Sequence, residues 1–176
     1  MMQMLEAGGM PVLVDGERPP DQDNPRGYYE LSAVRSTRRD SAWIGGAAGH
    51  AVKVVSSLLR DLPADRRYRV LFMRRPLGEV LTSQRAMLAR RGVAGDVPGP
   101  EIAEAMTAHV AEVEDWLATA PHMEILWVSY HRLLADPLGQ AGRAANFVGA
   151  PLDVTRMAAV VEPGLYRQRC PADRVP

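Results

Sequence analysis

The chain has 176 residues, with 21 basic and 21 acidic side chains and no net formal charge. That length suits one domain with a real core, and the charge balance offers nothing to a polyanion such as duplex DNA or to an acidic membrane, so any anion binding must be local. The single Cys170 excludes an intrachain disulfide; with no signal-like start and no apolar run of about 20 residues, the expectation is a soluble, cytoplasmic protein.

The first element in chain order is a helix, since Met1, Met4 and Leu5 are apolar at helical spacing and Gly8 and Gly9 supply a C-terminal stop. Pro11 to Val14 reads as a short strand. Gly16 to Glu30 (GERPPDQDNPRGYYE) follows as a long loop rich in turn residues, which in a compact domain points to a substrate loop or lid. Leu31 to Arg39 reads as helix, Gly45, Gly46 and Gly49 as a break, Ala51 to Val55 as a strand centred on Lys53, and Ser56 to Leu62 as a short helix ended by Pro63.

The most informative stretch is Tyr68 to Arg85. Tyr68, Val70, Leu71, Phe72 and Met73 form a short apolar, β-prone run without helical period, as a strand buried on both faces of a parallel sheet requires. Arg74 and Arg75 end it. Pro76 suits a first helical turn, and Leu77, Val80, Leu81, Gln84, Met87 and Leu88 continue at helical spacing. In open α/β sheets the ligand crevice lies beyond the carboxyl ends of the strands, where Arg75 falls, and Glu79 and Ser83 follow it at four-residue steps. Arg75 can grip a phosphate bidentately with the Ser83 hydroxyl as a further donor; the alternative is an ordinary Arg75–Glu79 ion pair on a solvated helix face.

A long helix is expected over Glu101 to Thr119 with the stripe Ile102, Met106, Val110, Val113 and Leu117, then a buried strand over Met123 to Val128, a helix through Phe147 closed by Gly149, and a short helix capped by Asp153. Trp43, Trp116 and Trp127 read as core anchors. The four histidines show no metal-ligand spacing, and Cys170, with no neighbouring His or Cys, reads as inert. Strands alternating with helices give an α/β fold with a parallel sheet flanked by helices.

Taken together, four segments in order resemble the sulfotransferase family that uses 3'-phosphoadenylyl sulfate (PAPS), in its bacterial branch. They are MMQMLEAGGM with DNPRGYYE, HAVKVVSSLL, RVLFMRRPLGEVLTSQ, and VSYHRLLADPLGQAGRAANFVGAPLD, and they span nearly the whole chain. The resemblance implies a P-loop NTPase-like three-layer sandwich and transfer of a sulfuryl group from PAPS to the hydroxyl or amine of a small acceptor, with no metal. It implies that Arg75 and Ser83 hold the donor's 3'-phosphate, as the family's Arg and Ser eight residues apart do. By the same likeness Lys53 faces the donor, against the alternative of a lysine snorkelling from a strand edge. Glu30 becomes the candidate general base, against a surface glutamate at the next helix. Arg167 and Arg169 stand near the family's late basic loop, without its glycine-rich form. His131 stands where an acidic residue is expected, so its role stays open.

One departure stands out: the family's opening strand and G-x-P-R-S-G-T-S loop, which binds the 5'-phosphosulfate, does not occur in the 176 residues. In related folds that strand lies between strands like Ala51 to Val55 and Tyr68 to Met73, so its loss would leave two apolar edges unpaired. The expectation is therefore either an N-terminally truncated reading of a longer enzyme, lacking the first strand, or a fragment of reduced stability. An in-frame loop of that form upstream would decide for truncation. The alternative function is a non-catalytic, degenerate domain of the same fold; a nucleotide kinase is disfavoured because no Walker lysine or magnesium-carboxylate pattern is present.

Overall fold

The computed structural model describes residues 1–90, 92 and 100–166. Its centre is a pair of parallel strands, β1 (Tyr68–Arg74) and β2 (Met123–Ser129), in continuous register from Tyr68 opposite Met123 to Arg74 opposite Ser129. Between them the chain passes through α2 (Leu77–Arg90) and α3 (Pro100–Thr119); α1 (Met2–Ala7) precedes β1, and α4 (Tyr130–Ala135), α5 (Pro137–Val148) and α6 (Val154–Ala159) follow β2. The protein is thus mixed α/β, with a small two-stranded parallel sheet and several helices.

Side-chain alternation explains the layering. Leu71, Met73, Leu126 and Val128 point to one face, where Met4 and Leu5 of α1, Leu133 of α4, Ala141, Ala144 and Ala145 of α5 and Met157 of α6 complete a core. Tyr68, Val70, Phe72, Met123, Ile125 and Trp127 point to the other, against Val113 and Leu117 of α3 and Leu59 and Leu62. Trp43, Trp116 and Trp127 all pack against this second cluster, as expected of anchors.

Local chemistry sets the helix ends. Gly8 follows α1, and its carbonyl accepts from Asp153 N–H at 3.0 Å, which ties α1 to the start of α6. Asp136 caps α5 through Gly139 N–H at 2.9 Å, and Asp153 caps α6 through Arg156 N–H at 2.9 Å. Gly149 closes α5 at φ +66, a left-handed conformation that glycine adopts without strain.

Three expectations need correction. Pro11 to Val14 and Ala51 to Val55 do not form strands of the sheet; they meet at a single parallel bridge, Val12 with Ala51, so Lys53 lies in extended chain beyond it. Leu13 N–H and Ala51 N–H bond across to Ala51 and Pro11 carbonyls at 3.0 and 2.8 Å, and no further rung forms among the described residues. A ladder needs a partner along its whole length, and β1 is hydrogen-bonded only to β2 among the described residues. Its side chains stay half-buried or exposed, whereas Met123 and Val128 of β2 are buried. Secondly, the helices expected over Leu31 to Arg39 and Ser56 to Leu62 are 3-10 turns, Ser32–Ser36 and Ser56–Asp61. In the first, the Ser36 and Thr37 hydroxyls bond back to the Ala33 and Val34 carbonyls at 3.0 and 2.6 Å, competing with regular helical bonding. Thirdly, only the C-terminal half of the α3 stripe reaches the core: Val113 and Leu117 are buried, while Ile102 is 44% exposed.

Among the described residues no helix is long and apolar enough to cross a membrane.

Candidate functional site at the carboxyl ends of the strands

The turn after β1 separates its two arginines. Arg74 turns toward α3, where Nε and Nη2 meet Glu114 at 2.9 and 2.8 Å and the guanidinium stacks on Trp127, 4.0 Å from the ring centre. Arg75 turns the other way. Pro76 then starts the bend into α2, with its carbonyl accepting from Glu79 N–H at 3.0 Å.

Arg75 does pair with Glu79, at 2.7 Å from Nε to Oε2, but not on a solvated face. Glu79 has no exposed surface and Arg75 keeps 23% of its side chain exposed. The other oxygen of the same carboxylate, Oε1, accepts from the Tyr166 hydroxyl and from His131, which donates at 2.9 Å in the tautomer with its proton on Nε2. The Tyr166 hydroxyl also stands 3.0 Å from that nitrogen. Tyr130 and Tyr166 flank the guanidinium, with ring centres 4.9 and 5.4 Å from its carbon. Burial alone would raise the Glu79 pKa; hydrogen bonds from Tyr166, Arg75 and His131 outweigh it and bring it down to about 2. The guanidinium is thus held by a buried carboxylate and flanked by two aromatic rings.

Ser83 lies half-buried on α2, four residues beyond Glu79, so Glu79 and Ser83 share one face of that helix, while Arg75 lies in the turn that precedes it. The adjacent Glu79 carboxylate offsets part of the Arg75 charge.

Lys53 and Glu30 come together in a second group. Lys53 Nζ donates to the Tyr28 carbonyl at 2.8 Å and to Glu30 Oε1 at 3.2 Å. Glu30 also meets Arg18 at 3.4 Å and Arg35 at 2.9 Å. Burial pushes the Glu30 pKa up, but the Lys53 hydrogen bond and the charges of Lys53 and Arg18, with the Arg35 bond, bring it below the ordinary carboxylate value. That makes Glu30 a weaker base than a free glutamate. The neighbouring Tyr29 holds a positive φ of 53°, rare for a residue with a side chain. The loop carrying these groups is pinned at several points: Tyr29 to Glu6, Asp23 to Arg90 of α2, and Arg26 to the Val160 carbonyl and Glu162.

Arg167 and Arg169 lie outside the described residues. Two surface concavities, of about 490 and 350 Å³, are lined elsewhere: the first by residues such as Ser41, Ile44 and Arg66, the second by Glu6, Arg26 and Tyr29. No group of three or more metal-ligating side chains occurs among the described residues.

The sequence reading missed the burial of Glu79 and the part played by Tyr166. The four-residue step from Arg75 signalled the Glu79 pairing; nothing local signals Tyr166, which comes from 87 residues further along the chain. Comparison of the chain with protein-family models, with curated proteins and with solved structures returns no match.

Proposed function

We propose that this chain is a sulfotransferase domain of P-loop NTPase-like type, cytoplasmic, that binds the 3'-phosphate of PAPS through Arg75 and Ser83 and serves sulfuryl transfer to a hydroxyl or amine of a small acceptor. The observation that carries this reading is the placement of Arg75 at the carboxyl end of a parallel strand, half-buried and anchored by a fully buried carboxylate, with Ser83 one helical step beyond that carboxylate on the following helix. Sulfuryl transfer asks the protein for charge stabilisation on the bridging oxygen and for in-line positioning, as phosphoryl transfer does. Lys53 is the cation assigned to that oxygen, and Glu30, ion-paired with it, is the carboxylate assigned to the acceptor proton.

Binding of 3',5'-adenosine bisphosphate, measured by calorimetry, tests the reading. The expected result is saturable binding by the wild-type chain that Arg75→Ala abolishes and Ser83→Ala weakens several-fold. Binding that is indifferent to Arg75→Ala would refute the assignment. A second reading, a non-catalytic domain of the same fold, is favoured by the Arg75–Glu79 pair itself, because that pair spends part of the cationic charge internally. Folded wild-type protein that binds no nucleotide would decide for it.

A further inference from the structure

A phosphate-binding role for Arg75 leaves Glu79 without a purpose. A fixed negative charge beside the cationic donor weakens anion binding by Coulomb's law alone. Yet this carboxylate is wholly removed from water and receives donors on both oxygens. The division of labour between those oxygens is specific: Tyr166 and His131 hold Oε1, Arg75 takes Oε2.

We propose that Glu79 is the positioning residue of the anion site, a buried strut that fixes the Arg75 guanidinium before the ligand arrives, and that the Tyr166 hydroxyl, as distinct from its ring, acts on the same site by holding Glu79. This rests on the reading of Arg75 as a phosphate ligand. An unheld arginine loses much rotamer freedom when it grips an anion; a guanidinium already fixed has lost it in the free protein. Four constraints do that fixing. Pro76 restricts the backbone next to Arg75, Glu79 takes Nε at 2.7 Å, and Tyr130 and Tyr166 close on the guanidinium at 4.9 and 5.4 Å. Tyr166 and His131 in turn prevent the carboxylate from following Arg75 if it moves. The contact also carries an assembly condition, because Tyr166 belongs to the segment after α6 and reaches back to a helix that follows β1. The anion site is therefore in its gripping form only when that late segment is docked.

Electrostatics and positioning give opposite signs for one substitution, which makes the inference testable. If Glu79 acts only through its charge, Glu79→Gln tightens binding of 3',5'-adenosine bisphosphate. If it positions Arg75, Glu79→Gln weakens binding about tenfold, or about 1.4 kcal/mol. Tyr166→Phe weakens it about threefold, and the double variant is no worse than Glu79→Gln alone, because both act through one contact. Binding by Glu79→Gln that is unchanged or tighter overturns the inference, as does full additivity in the double variant. A second arm needs no nucleotide. In the free wild-type protein the Arg75 Nε–H gives a slowly exchanging NMR signal, which is lost in Glu79→Gln and exchanges faster in Tyr166→Phe. An Arg75 Nε–H that exchanges as fast in wild type as those of exposed arginines overturns the inference whether or not nucleotide binds. Wild-type protein that shows the protected signal but no nucleotide binding overturns the functional reading and leaves the strut standing. Should Glu79→Gln not fold, the wild-type signal and its response in Tyr166→Phe decide.

Discussion

Glu79→Gln also predicts a stability change that can be worked from its three contacts. Glutamine keeps one carbonyl oxygen, which can accept from Tyr166 and His131 as Oε1 does now. Its amide nitrogen then replaces Oε2 and faces Arg75 Nε, donor against donor, where the native distance is 2.7 Å. The charge-assisted bond is lost, which costs about 1.5–3 kcal/mol. Breaking a fully buried ion pair from one side costs ~3–5 kcal/mol, but Arg75 is 23% exposed and can recover some hydration, so the cost falls at or below the bottom of that range. The expected loss is about 2–3 kcal/mol at pH 7, read from urea denaturation. The pH dependence supplies a second check. The folded pKa of Glu79 is depressed to about 2 from 4.5, so its contribution is fully present above 4.5 and is lost as the pH falls from there toward about 2. The Glu79 carboxylate's share of the stability gap between wild type and Glu79→Gln should therefore shrink as the pH falls below 4.5. A gap under about 0.5 kcal/mol at pH 7, the range of ordinary surface substitutions, would show that the carboxylate is not the strut described. A gap that widens on acidification would reverse the sign and refute the electrostatic account.

Other substitutions probe the rest of the molecule. Lys53→Ala should raise the Glu30 pKa toward the ordinary carboxylate value, since Lys53 supplies both the hydrogen bond and the leading charge that lower it; carboxyl NMR titration reads this, and an unmoved pKa would deny the pairing. Gly8→Ala should destabilise by about 1–3 kcal/mol, because a Cβ at this position would come within 2.6 Å of Met157 Cγ, in a side chain with no exposed surface. Calorimetric melting would show it, and a neutral effect would mean that α1 and α6 are less tightly apposed than the structure has them. Met157→Ala should cost about 2–5 kcal/mol as a cavity in the first core, whereas Leu138→Ala, at a leucine 56% exposed, should cost well under ~1 kcal/mol; similar losses at the two sites would contradict the burial pattern.

What the sequence made legible were features with local causes. The apolar run into two arginines and Pro76 marks β1 and the entry to α2, Asp153 marks the cap of α6, and Gly149 the end of α5; each depends on neighbours within about four residues. Strands are different, because their ladders are made with distant chain. Pro11 to Val14 and Ala51 to Val55 have the composition of strands, yet only one bridge joins them. The candidate site divides in the same way. The four-residue step from Arg75 to Glu79 was visible, but the sequence could not say whether that pair faced water or the interior. Its burial depends on His131 and Tyr166, which arrive from beyond β2 and α6. Lys53 and Glu30 lie 23 residues apart, and their ion pair forms only when the chain between them folds.

The junction of α1 with α6 bears on how the protein is made. Met4 and Leu5 belong to the same cluster as Met157, and the Gly8 carbonyl takes its proton donor from Asp153. On the ribosome, the apolar face of α1 emerges early and then waits for α6, about 150 residues later, before it can be sealed. At typical elongation speeds of about 5–20 residues per second, that exposure lasts on the order of ten seconds or more. During that interval Met1, Met2, Met4 and Leu5 are available to a chaperone that binds short apolar segments. Slowing translation between α1 and α6 should therefore lower the yield of soluble protein more than slowing it after α6.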